Sequence, residues 1–204
     1  MNIDLLAFSG HMGLFGPQGT GGLYIKEGIE PVPLRFGGTG SNSESDLQPG
    51  FLPDRYESGT HNGPGIAGLG AGVEFVLKTG TGAIFKHCCA LTGALLDGLK
   101  SLPRIHVHGH GTAADRTSLP SRLCRLGRLS TVSCTIDGCD NGIIAQRLND
   151  DFDIAVRTGL HCAPAAHRAI GTFPQGTVRI SFGYFNTEKE VETLLAALSV
   201  FGAS

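Results

Sequence analysis

No apolar run in this 204-residue sequence comes near the roughly 20 residues that a helix needs to cross a bilayer. The opening segment MNIDLLAFSG also lacks a basic stretch followed by an apolar one, so no secretion signal is read there. Charge imbalance is equally scarce: the formal net charge is -2, with no clustered basic face of the kind that binds nucleic acid or an anionic membrane surface. These absences point to a cytoplasmic chain with neither nucleic acid nor membrane as partner. No CxxC pair occurs among the six cysteines, Cys88, Cys89, Cys124, Cys134, Cys139 and Cys162, and without a secretion signal they are expected to stay thiols. Internal repeats and low-complexity tracts are missing too.

What is present is a 41% hydrophobic composition, enough to bury a substantial core, in a length that suits one domain and part of a second. Glycine is abundant, at 31 residues, about twice its usual share. Much of it falls between residues 10 and 82, where close approach of the backbone to a ligand or partner would explain it, as would a loop-rich architecture.

The run IDLLAF, ending at Ser9-Gly10, predicts a buried strand of an α/β sheet, and GLYIK predicts a second strand after a glycine-punctuated loop. Two strands do not make a sheet that stands alone, so the N-terminus reads as a cut through a larger domain. Residues 28–62, rich in Gly, Pro, Ser and Asn, predict a long ordered loop. Pro64 suits the first turn of a helix over residues 65–77. A second helix, about residues 81–101, carries Ile84, Phe85, Leu91, Leu95, Leu96 and Leu99 near one face and stops before Pro103. Then follow strands in RIHVH and LSTVSCTI, a helix near 141–150, and strands in DIAVRT and TVRISF. A last helix begins at a Thr187/Glu190 capping box and buries Val191, Leu194, Leu195 and Leu198.

Four segments carry chemistry. FSGHMGLFGPQGTGGLYI sets a serine, a histidine and many backbone amides in a loop that ends a strand, which suits a phosphate, although a bland glycine-rich turn has the same look. RTGLHCAP puts Cys162 in a loop with Gly159, His161 and Pro164, where a thiol is accessible and a histidine can lower its pKa; a buried cysteine at a strand end is the structural alternative. In TVRISFGYFNT, alternation sends Val178, Ile180 and Phe182 to one face and Arg179 and Ser181 to the other, and an arginine fork is the natural partner of a substrate carboxylate. DRYESGTHN offers Thr60 and Arg55, as ligand-loop residues or as a polar turn capping the next helix.

These four segments, in this order, resemble the class V aminotransferase family of pyridoxal-phosphate enzymes, and GLHCAP with GTVRISFGYFNT resembles its cysteine desulfurase and selenocysteine lyase branch most. The resemblance implies the C-terminal half of a fold type I transferase. Residues 1–80 would be a remnant of the large cofactor domain with an interface loop, and 81–204 a small C-terminal α/β domain with its linking helix. The family's SGHK places the phosphate ligands on Ser9 and His11, and places the lysine that holds the cofactor's aldehyde at residue 12, which here is Met12. A thioether has no amine to condense and no proton to shuttle, yet its unbranched stem fills a similar space.

By the same resemblance Cys162 accepts sulfur from L-cysteine as a persulfide, Arg179 binds the amino-acid carboxylate, and Thr60 reaches the phosphate of the other subunit of a homodimer, with Arg55 supporting that loop. A sulfur-acceptor protein is an implied partner. With Met12 in place of lysine and the family's N-terminal half missing, the isolated chain is expected not to turn over. Association through a homodimer or a separate N-terminal half is expected, and a non-catalytic dimerisation or scaffold module is the alternative.

Two rival readings are weaker. His106, His108 and His110 alternate in RIHVHGH, and such a face can bind zinc, but no acidic or cysteine partner has diagnostic spacing, and neither His87 nor the Cys88-Cys89 pair supplies it, so no metal is expected. A Cys-His hydrolase would pair Cys162 with His161 or His167; adjacent residues on an extended chain point apart, which disfavours His161.

Overall fold

The structure, a computed structural model, describes residues 2–109 and 129–202. The chain divides into two compact units, Met1–Thr81 and Gly82–Ser204.

In the first unit, β1 (Leu5–Ser9) pairs antiparallel with β2 (Gly21–Ile25), Leu5 opposite Ile25 and Ser9 opposite Gly21. The buried sheet strand predicted for IDLLAF is thus an exposed hairpin arm, with none of its residues buried. The turn of residues 10–20 folds the chain back beside itself, and no third strand joins the pair among the described residues, so apolar side chains on both faces have no layer to cover them. The Gly10 N–H donates to the Thr20 carbonyl (2.8 Å) and the Gly16 N–H to the Gly10 carbonyl (2.8 Å). A Cβ at Gly10 would lie 2.5 Å from Thr20 Oγ1, so the turn closes only around glycine.

The predicted long loop is held by its own polar groups. The Gln48 amide accepts from Gly37 N–H (3.3 Å) and donates to the Asp54 carbonyl (2.8 Å), and the Tyr56 hydroxyl donates to the Pro31 carbonyl (3.0 Å). Helix α1 (Gly63–Thr79) starts at Asn62, whose side chain accepts from Gly65 N–H (3.1 Å), and stops at Gly80 in the left-handed region (φ 85°). Among the described apolar side chains of this unit Val76 alone is buried, while Val32, Leu34, Leu47 and Leu77 stand largely in solvent.

The second unit holds the core. Helix α2 (Thr81–Leu99) is followed by β3 (Ile105–His108), β4 (Thr131–Ile136), α3 (Asn141–Phe152), β5 (Arg157–Gly159), α4 (Pro164–Ala169), β6 (Thr177–Ser181) and α5 (Glu188–Gly202). The four strands form one antiparallel sheet in the order β3-β4-β6-β5. Strict alternation turns Val132, Cys134, Ile136, Val178 and Ile180 to one face. There they pack into a single cluster with Leu91, Leu95, Leu96 and Leu99 of α2, Ile144 and Leu148 of α3, and Val191, Leu194 and Leu198 of α5. Each fully buried Leu, Ile or Val here contributes roughly 1.5–3 kcal/mol.

Side chains cap two helices of this unit, of which only the last is expected from the sequence. Asp140 accepts from Gly142 N–H (2.8 Å) and Ile143 N–H (3.1 Å) to start α3. Thr187 and Glu190 form the reciprocal box predicted for the last helix, Glu190 N–H to Thr187 Oγ1 (3.3 Å) and Thr187 N–H to Glu190 Oε2 (2.6 Å), which holds the Glu190 carboxyl below the usual carboxylate range.

Three expectations change. The DIAVRT strand shrinks to Arg157–Gly159, because α3 runs on to Phe152 and ends at Asp153 in the left-handed region (φ 55°); residues 154–156 then follow, Ile154 and Val156 packing against the core. The loop after Cys162 contains helix α4, which no apolar period announces because it is only 6 residues long. The apolar stripe of α2 begins late: Phe85 is 40% exposed and burial starts at Cys88.

Candidate functional site

Because Val178 and Ile180 face the core, Arg179 between them is turned to the opposite face of the sheet. One row of that face crosses all four strands: His108 is opposite Ser133, Ser133 opposite Arg179, and Arg179 opposite Arg157. His108 Nε2 lies 3.0 Å from Thr135 Oγ1, and His106 Nε2 2.8 Å from Asp137 Oδ2. The two described histidines of the alternating trio are thus engaged with these groups; His110 lies outside the described residues, as does Cys124. No group of three or more metal-ligating side chains occurs among the described residues.

The segment after β5 presents the thiol. His161 (φ 50°) and Cys162 (φ 60°) both occupy the left-handed region, which non-glycine residues adopt only when the surrounding structure imposes it. This replaces the extended chain that sequence reasoning assumed. Cys162 is exposed, in keeping with an accessible thiol, whereas Cys134 is wholly buried and its thiol is pushed up to about 12 by that burial. All five described cysteines are free.

His161 Nε2 sits 3.4 Å from the hydroxyl of the fully buried Thr177, and its ring centroid is 5.7 Å from that of His167. His167 is itself buried, with Nδ1 2.7 Å from Thr172 Oγ1. Neither imidazole shares a hydrogen bond with Cys162 among the described residues, so the geometry of a Cys-His nucleophile pair is not formed. Two buried side-chain nitrogens on this face have no partner among the described residues: His161 Nδ1 and Arg179 Nε.

Burial holds the His161 pKa below the usual imidazole value, reinforced by the Arg179, His167 and Arg157 charges and opposed by a bond to the Thr177 backbone. His108 is lowered in the same way, first by burial and then by His106 and His167. A ring whose folded pKa is depressed binds its proton more readily when unfolded. The stability from keeping it neutral is therefore full above the ordinary imidazole pKa and is lost as pH falls below it. The urea midpoint is expected to drop from about pH 8 to about pH 5.5, either side of that ordinary value, and His161→Gln to shrink the drop. An equal drop in the variant would contradict this assignment.

In the first unit, Ser9 Oγ lies 2.9 Å from His11 Nδ1, both exposed at the start of the 10–20 turn. The next residue, Met12, is 69% exposed. The backbone N–H groups of Met12, Gly13 and Leu14 have no partner among the described residues. A hydroxyl, an imidazole and free amides fit a phosphate. A thioether does not fit an aldehyde, so this turn suits the phosphate of pyridoxal phosphate and not its covalent attachment.

Thr60 is exposed beside a cavity of about 370 Å³ lined by residues 38–40 and 59–61. The same segment also caps α1, as its alternative reading expects, through Asn62 and not through Thr60. Arg55 pairs with Glu30 (3.3 Å) and lies over the Tyr56 ring, which braces the loop.

Sequence reasoning missed Arg157 and Thr177. Each stands in a quoted motif, but only strand register reveals that Arg157 opposes Arg179.

Residues 1–194 match the family model for aminotransferase class-V. A probable cysteine desulfurase of Methanothermobacter thermautotrophicus is 32% identical over 196 residues, which are 94% of this chain and 46% of that protein. The apo structure of a cysteine desulfurase from Thermococcus onnurineus NA1 superposes with a TM-score of 0.75 at 30% identity, covering 98% of this chain and 47% of that one. A lysine-to-alanine mutant of C-DES with glycine covalently linked to its PLP cofactor gives a TM-score of 0.67 at 29% identity, with 98% and 47% coverage. The mixed α/β architecture is thus that of part of a fold type I transferase, and the chain spans about half the length of the curated relatives it matches.

Proposed function

This chain belongs to the class V aminotransferase family, and from that premise we propose that it carries the sulfur-accepting and carboxylate-binding half of a cysteine desulfurase. The reaction class is conversion of L-cysteine to L-alanine with sulfur left on the enzyme as a persulfide. Cys162 is the nucleophile: its exposed thiol, on a strained two-residue turn, is free to meet a substrate sulfur. Arg179 holds the amino-acid carboxylate, and the observation that carries this reading is its buried Nε, a donor with no partner among the described residues.

Ser9 and His11 would hold the phosphate of pyridoxal phosphate, whose chemistry when bound is to take up electrons from the substrate's bonds. Thr60 would reach the phosphate bound by a second subunit. Met12 leaves the chain without the covalent anchor, so the isolated polypeptide does not turn over cysteine. Support for residual cofactor affinity comes from C-DES, whose lysine-to-alanine mutant still holds the cofactor joined to glycine.

The test supplies a lysine and the remainder of a desulfurase fold: Met12→Lys in this chain, joined to the N-terminal half of a desulfurase relative, is mixed with L-cysteine and alkylated to map persulfide. Sulfur is expected on Cys162, and Cys162→Ser is expected to reduce it to background. Persulfide formation indifferent to Cys162→Ser would end the proposal.

A second reading is favoured by the first unit's exposed apolar surface, in which Leu23, Val32, Leu34, Phe36 and Leu47 are all more than half exposed. Such surface marks an interaction face. In this reading the chain acts as a non-catalytic module that pairs with a second copy, or with a separately made N-terminal half. A sulfur-acceptor protein is a partner only under the first reading.

A further inference from the structure

Cys162 sits on a turn whose backbone its residue type does not favour. The Ala163 N–H donates to the Leu160 carbonyl (2.8 Å), so His161 and Cys162 are the two central residues, both at positive φ, where asparagine and glycine are the ordinary choice. Neither that one bond nor the side chains of the turn keep the chain there. The restraint therefore lies in what the turn is attached to.

The attachment is a continuous run of hydrogen bonds. His167 N–H donates to the Ala163 carbonyl (3.2 Å), Thr172 N–H to the His167 carbonyl (2.9 Å) and Gly176 N–H to the Thr172 carbonyl (2.7 Å). Asn141, at the start of α3, donates from Nδ2 to the Gly176 carbonyl (3.1 Å). A side-chain bond closes the run, with His167 Nδ1 2.7 Å from Thr172 Oγ1. Asn141, His167 and Thr172 are all buried, so bulk water does not replace a bond lost there. The His167 ring backs the His161 ring at 5.7 Å between centroids. Neither His167 nor Thr172 shares a hydrogen bond with Cys162 among the described residues, so both reach the thiol only through the turn.

We propose that His167 and Thr172 are positioning residues, whose buried side-chain bond keeps His161 and Cys162 in the left-handed turn and so fixes where the thiol points during sulfur transfer. This rests on the reading of Cys162 as the sulfur acceptor. Two apolar side chains could fill the same space, but only a directional bond sets the rotation of the ring on which His161 rests. An exposed thiol meets a small electrophile from any side. Attack on the sulfur of a seated substrate needs one direction of approach, and a small misplacement loses rate.

The experiment compares Thr172→Val, which removes the hydroxyl, with Thr172→Ser, which keeps it. In this chain, amide hydrogen exchange and nitrogen-15 relaxation are followed at residues 160–163. Thr172→Val is expected to speed exchange of the Ala163 N–H about tenfold, the loss of one buried hydrogen bond. The order parameters of His161 and Cys162 should fall from about 0.85 to below about 0.6. Thr172→Ser should restore both readings. His167→Phe, which keeps a ring without its nitrogens, should match Thr172→Val, and the double variant should go no further than either. Exchange at Val178 in the sheet reports global stability and should change less. In the Met12→Lys chain joined to a relative's N-terminal half, Thr172→Val should lower kcat for persulfide formation about tenfold with KM unchanged. Iodoacetamide should still alkylate Cys162 at the unmodified rate, because the thiolate fraction is untouched.

Exchange at Ala163 accelerated no more than at Val178, or a loss that Thr172→Ser does not repair, overturns the positioning role. Alkylation that falls in step with persulfide formation overturns it too, by showing an effect on thiol reactivity instead. If exchange and order respond as expected while Cys162→Ser leaves persulfide formation intact, the turn is held as proposed and the sulfur-acceptor reading is what fails.

Discussion

Borohydride reduction after incubation with pyridoxal phosphate is expected to leave residue 12 unlabelled in this chain and to label it in Met12→Lys. The contrast is chemical, not a matter of affinity. An aldehyde condenses with an amine, losing water, and hydride fixes the product; a thioether has no nitrogen and no protons to lose as water, so no C=N bond can form. The site chosen for the lysine is sterically open, since Met12 is 69% exposed and the turn around it is closed by backbone bonds at Gly10 and Gly16 that the substitution does not touch. Other lysines, such as Lys26, react at random with excess aldehyde, so peptide mapping, not total absorbance, is the readout. A label at residue 12 equal in both proteins would refute the chemistry. Failure of Met12→Lys to label above the level of Lys26 would show that the turn does not gather the cofactor in this chain.

The same turn shows how far sequence carries. Ser9, His11 and the glycines around them suggest a phosphate-suited turn from residue types alone, whereas Met12 takes its meaning only from the resemblance, which places a lysine there. Arg179 is legible for a similar reason: alternation within one strand decides its face without any knowledge of neighbouring strands. Arg157 is not, since its meaning comes from a register between β5 and β6 that spans a loop and a short helix. The left-handed pair His161 and Cys162 is also silent in sequence, where positive φ is normally announced by glycine or asparagine. IDLLAF misled because the run after Asp4 is apolar at every position and has no period, so it cannot distinguish a covered strand from one whose cover is not among its own unit's residues.

Leu95→Ala is expected to cost about 2–5 kcal/mol in urea unfolding, the range for a fully buried leucine whose cavity cannot collapse, since Leu95 is 0% exposed in the cluster of α2, the sheet and α5. Leu34→Ala, at 96% exposure in the first unit, is expected to stay within about 0.5 kcal/mol for an isolated chain. The comparison reaches beyond stability because the first unit buries only Val76 among its described apolar side chains. If that surface is covered in solution by a second copy, light scattering reports a mass above the monomer, the unfolding midpoint rises with protein concentration, and Leu34→Ala or Leu23→Ala weakens the assembly. A clean monomer at every concentration, with Leu34→Ala silent, removes the dimer and leaves a separate N-terminal half as the partner to test. A Leu95→Ala cost below about 1 kcal/mol would mean that the core of the second unit is not packed as described, since even partial collapse leaves more than that.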